Sequence, residues 1–117
     1  MERSQDFEGL AVWQRSKAIA VDVCRASSAC KDWGFRDQIM RSSVSVPSNI
    51  AEGAERNGSK EFIYFLGIAK GSLAELRTQI MIGIELKYFE GIAAQQWVNE
   101  TRELSKMLHG LINSLRS

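Results

Sequence analysis

The chain has 117 residues, 44% hydrophobic and 25% charged, with one proline and a formal charge of +1. That length suits a single domain, residues 1–117, able to bury one core without disulfides or metal, and the mixture excludes a disordered or fibrous chain. Near-neutral charge excludes binding of nucleic acid through bulk charge, so any such role rests on a local patch.

The opening MERSQDFEGL lacks the basic start and apolar run of a secretory leader. No apolar run reaches the roughly 20 residues of a membrane span. Cys24 and Cys30, six positions apart, are the only cysteines. They suit free thiols in a reducing compartment rather than a disulfide framework. The expectation is a soluble cytoplasmic protein.

A first helix is predicted from about Gly9 to Ala26, with Asp6 as its cap. Val12, Trp13, Ser16, Ile19, Ala20 and Val23 share one face at helical spacing, and Arg15 lies on the solvated side. Residues 27–34 form a connection in which Trp33 is expected to anchor a bundle end.

A second helix is predicted over Phe35–Arg56, with Phe35, Ile39, Ser43, Val46, Ile50 and Gly53 inward. Pro47 removes the hydrogen bond to the Ser43 carbonyl and crowds it. Either the helix kinks there, as the in-phase apolar spacing favours, or it restarts with Asn49 capping toward Glu52. Asn57-Gly58 stops it, and Ser59 is placed to cap the next.

The third helix, about Lys60 to Phe89, carries an inward stripe of Phe62, Phe65, Leu66, Ala69, Leu73, Leu76, Ile80 and Ile84. Gly67 and Gly71 suggest a small-residue groove for close helix packing; GIAKGS lacks the spacing and preceding strand of a phosphate loop. Tyr64, Ile68, Ile82, Leu86 and Phe89 lie away from the inward stripe, apolar residues that one bundle leaves uncovered. Loops or tails can cover them, but a partner subunit is the expected cover. Glu90-Gly91 turns the chain, and a fourth helix over Ala93–Leu115 places Trp97, Leu104, Leu108, Leu111 and Leu115 on a seam. Short connections between amphipathic helices imply an all-α, antiparallel, up-and-down four-helix bundle.

No catalytic constellation emerges. The lone His109 falls on the polar side of the fourth helix, and position 106 is lysine, so the Glu-x-x-His metal motif of bundles is missing. No metal, cofactor or small-molecule substrate is expected. Arg41 and Arg56, on a stripe with Ser45, Ser48 and Glu52, together with Lys60, Lys70 and Arg77, are candidates for phosphate contacts. The alternative is a solvated surface on which they pair with Glu52, Glu61 and Glu75.

The run QIMRSSVSVPSNIAEGAER (Gln38–Arg56), with SKEFIYFLGIAKGSLAEL (Ser59–Leu76) and FEGLAVWQRSKAIA (Phe7–Ala20), resembles the bacterial four-helix bundle family named for the protein encoded in 23S ribosomal RNA intervening sequences. The resemblance implies a ring-like homopentamer with no enzymatic activity. It also implies similarity to the accessory variability determinant of diversity-generating retroelements, a basic pentameric barrel that binds nucleic acid and works with a reverse transcriptase. Arg41, Ser45, Pro47, Asn49, Glu52, Gly53, Arg56, Gly71, Ser72 and Glu75 match the family pattern, whereas the charge of +1 departs from the basic relative. The expected partners are further copies of the chain and RNA or DNA; the alternative is a protein-interaction scaffold with no nucleic-acid contact.

Overall fold

A computed structural model of the chain describes residues 6–117; the leader reading falls partly on residues 1–5, outside them. Four helices follow a short 3-10 turn at Phe7–Gly9: α1 (Ala11–Ser27), α2 (Trp33–Ala54), α3 (Ser59–Glu85) and α4 (Gly91–Arg116). They pack in the cyclic order α1–α2–α3–α4 and form a rod of 49 × 21 × 20 Å, with α1 and α4 touching more sparsely than the other neighbours. The described residues contain no strand.

The core forms where the inward stripes meet. Ile39, Val46 and Ile50 of α2 and Leu66, Leu73, Leu76 and Ile80 of α3 are buried with Val23, Val98, Leu104 and Leu108. On α4 the buried set also includes Ala94, Thr101 and Ile112, while Trp97, Leu111 and Leu115 pack only partly against it. The true seam is therefore rotated slightly from the one the leucines suggest.

α2 and α3 run antiparallel, with Ser42 Oγ donating to Gln79 Oε1 at 2.5 Å and Ser45 Oγ 2.8 Å from Ser72 Oγ. Gly53 permits the approach: a Cβ there would lie 2.8 Å from Phe65 Cβ. α2 continues unbroken through Pro47, so the restart at Asn49 does not occur. Asn49 Nδ2 instead donates back to the Ser45 carbonyl at 2.9 Å and to Ser45 Oγ at 3.0 Å.

The helix ends correct several expectations. Asp6 caps the 3-10 turn, accepting from Glu8 N–H, and does not cap α1. Trp33 does not anchor a bundle end; it opens α2 and stands 69% exposed, because Asp32 caps that helix by accepting from Phe35 N–H. Gly58, at φ 144°, precedes α3 where Ser59 was expected to cap. α3 ends at Glu85, four residues early. There Lys87 takes φ 62°, and Tyr88 N–H bonds back to the Gly83 carbonyl at 2.8 Å. With Lys87 N–H donating to the Ile84 carbonyl, this is a Schellman closure with lysine in the left-handed position. Glu90 then caps α4 by accepting from Ile92 and Ala93 N–H, which holds its carboxyl below the usual range.

Candidate nucleic-acid interface

Core packing fixes the rotation of α3 and α4, and with it a basic cleft between them. With Thr101, Leu104 and Leu108 inward, Arg102, Ser105, Lys106 and His109 fall on the neighbouring face of α4 at helical spacing. Lys70 and Arg77, two turns apart on α3, face them, and the six side chains line an open cleft of about 500 Å³. No carboxylate lines it. Lys106 Nζ also lies 3.5 Å from Glu103 Oε2, one turn back on α4. Four formal cations therefore share a cleft on a chain whose net charge is only +1.

Arg77 is held in place. Its Nε donates to Thr101 Oγ1 at 2.9 Å and one terminal nitrogen to the Thr101 carbonyl at 3.4 Å, while the Thr101 hydroxyl donates to the Val98 carbonyl at 2.6 Å. The rest of the guanidinium is left for the cleft. His109 lies with Nε2 3.2 Å from Asn113 Nδ2. The lining holds no tryptophan, tyrosine or phenylalanine, so it offers charge to a backbone rather than a surface for stacking bases.

A family model described as 23S rRNA-intervening sequence protein matches residues 8–110. The chain belongs to that family. It is also similar to a crystal structure, at 1.70 Å, of a protein of unknown function from the S23 ribosomal protein family of Bacteroides thetaiotaomicron VPI-5482. The two are 25% identical with a TM-score of 0.81, covering 86% of this chain and 97% of the other. No curated protein matches the chain.

In this chain the five basic residues singled out from sequence do not form one patch. Lys70 and Arg77 share the cleft. Arg56 lies elsewhere, paired with Glu52 and, at 3.9 Å, with Glu61, its guanidinium 4.8 Å over the Phe65 ring. Arg41 and Lys60 are exposed outside the cleft. Arg102 is absent from the sequence reading, and Lys106 and His109 enter it only through the missing metal motif; their i, i+4, i+7 spacing on α4 is the available signal.

Of the residues assigned to a subunit contact, Tyr64, Ile68, Ile82 and Leu86 are exposed. Phe89 is not. The early end of α3 folds it back over Gly83, where its ring packs 5.3 Å from Trp97 and 6.1 Å from Phe35 in the core. Gly67 and Gly71 also depart from expectation, because a Cβ on either would meet nothing within 4 Å. Among the described residues no helix uses them for close packing. Among the described residues no group of three or more His, Cys, Asp or Glu is placed to hold a metal, and no helix is long and apolar enough to cross a membrane.

Proposed function

We propose that this protein is a non-enzymatic homo-oligomer that binds the phosphate backbone of RNA or DNA through the α3/α4 cleft. The observation that carries this reading is the convergence of Lys70, Arg77, Arg102 and Lys106 on a cleft lined by no acid. Cations gathered this way gain affinity by releasing counterions from a polyanion. Membership of a family named for 23S rRNA intervening sequences supports RNA as the first ligand to try. The resemblance to the accessory variability determinant supports a pentamer, and the exposed Tyr64, Ile68, Ile82 and Leu86 supply apolar surface for assembly.

The test is binding of labelled single-stranded RNA and duplex DNA over a salt series, with Arg102→Glu/Lys106→Glu beside the parent. Binding that weakens with salt and is lost in the double variant supports the reading. Binding that is absent, or indifferent to those two charges, overturns it and favours a scaffold for other proteins.

A further inference from the structure

Two apolar surfaces of the bundle have no partner among the described residues. The first is the outer stripe of α3, where Tyr64, Ile68, Gly71, Glu75, Ile82 and Leu86 recur at helical spacing. It is exposed along its length, and Gly71 leaves it flat enough for another backbone to approach. The second is a groove of about 370 Å³ between α1 and α2, with an almost wholly apolar floor that includes Val21, Cys24, Val44 and Pro47. Lys17 and Arg25 border the groove. Eight residues apart on one helix, they stand about 12 Å apart along it. Lys17 lies 5.1 Å over the Trp13 ring, and neither cation forms an ion pair among the described residues.

We infer that the groove between α1 and α2 receives the outer stripe of α3 from a second copy of this chain. Glu75 decides against the simpler arrangement, in which two α3 stripes pack on each other. It sits midway between Tyr64 and Leu86, exposed and without an ion pair among the described residues. A two-fold axis through the stripe would set one Glu75 against its own copy, and like charges brought together at an interface oppose association. The groove offers the reverse: an apolar floor for Ile68 and Ile82, and a cation at either side for the carboxylate. A contact between two different surfaces is heterologous, so each copy both gives and receives, and the assembly closes as a ring when the rotation from copy to copy closes. This inference rests on the proposed homo-oligomer and specifies its joint.

Two variants test it. Ile68→Glu spoils the stripe and leaves the groove; Val44→Glu spoils the groove and leaves the stripe. Both sites are exposed, at 37% and 49%, and circular dichroism verifies that each variant is folded. By light scattering after size-exclusion chromatography, each alone is expected to be a monomer, and an equimolar mixture a 1:1 dimer that grows no further. Glu75→Arg is expected to dissociate the parent, and adding Lys17→Glu/Arg25→Glu to restore it. An oligomeric parent whose Val44→Glu variant stays fully assembled overturns the inference while leaving the oligomer standing. A monomeric parent overturns both.

Discussion

Tyr88 donates its phenolic hydrogen to Asp32 Oδ2 at 2.7 Å, while Asp32 Oδ1 accepts the Phe35 N–H that begins α2. One carboxylate thus caps a helix and ties the α1–α2 connection to the α3–α4 connection, 56 residues away. The Tyr88 hydrogen bond, then that of Phe35, holds the Asp32 carboxyl below its ordinary 3.8. The same hydrogen bond, then burial and the charge of Asp32, raises the Tyr88 phenol above 10.0.

The signs of these shifts set two pH windows. Asp32 binds its proton less tightly when folded, so its contribution is present above the unfolded value and lost as pH falls through the depressed one. Tyr88 binds its proton more tightly when folded, so its contribution is present below about 10 and lost as pH rises through the raised value. Melting curves of the parent and Tyr88→Phe are expected to differ by a constant amount at neutral pH. The gap narrows at both extremes; a gap independent of pH would refute the coupling.

Lys87 makes a separate contribution at the same bundle end. At φ 62° it occupies the left-handed position of the Schellman closure, a conformation that costs an L-residue roughly 1–2 kcal/mol. Lys87→Gly is expected to stabilise the fold by about 1 kcal/mol in chemical denaturation, the relief being partly offset by the entropy of a freer unfolded chain.

These closures explain which parts of the fold were legible in the sequence. Periodic stripes gave the four helices and most of the core, because burial of Ile39, Ile50, Leu66 and Leu73 follows from spacing alone. Phe89 was misplaced because a lysine, not a glycine, ends α3, and the continuing apolar pattern masked the turn. Trp33 was misplaced because its neighbour Asp32 is the cap. Arg15 looked merely solvated, yet it reaches α4 and makes a two-pronged contact with Glu100 at 2.9 and 2.6 Å. The cleft was half legible, since Lys70 and Arg77 share a helix face but their partners lie more than 20 residues away on α4.

The glycines give a test of opposite signs. Gly53→Ala pushes a methyl to 2.8 Å from Phe65 Cβ, and such overpacking typically costs about 1–3 kcal/mol. Gly71→Ala meets nothing within 4 Å, and replacing an exposed helical glycine by alanine gains about 1 kcal/mol. Measured by denaturation in the Ile68→Glu background, where the outer face of α3 is uncovered, the first is expected to destabilise and the second to stabilise.

Arg77 and Lys70 share the cleft but differ in what else they do, which separates binding from folding. Arg77→Ala removes a donor to Thr101 Oγ1, but that hydroxyl keeps its own bond to the Val98 carbonyl, so the expected stability loss is only about 1 kcal/mol. Lys70→Ala removes no such bond and is expected to leave the melting temperature unchanged. If each contacts one phosphate, either substitution lowers the slope of log affinity against log salt by about 1 on duplex DNA. Equal salt slopes with unequal stabilities would mark both as phosphate ligands and Arg77 alone as a strut between α3 and α4. A parental slope retained in both variants would remove the cleft from the binding surface, however much Arg77→Ala weakened the fold.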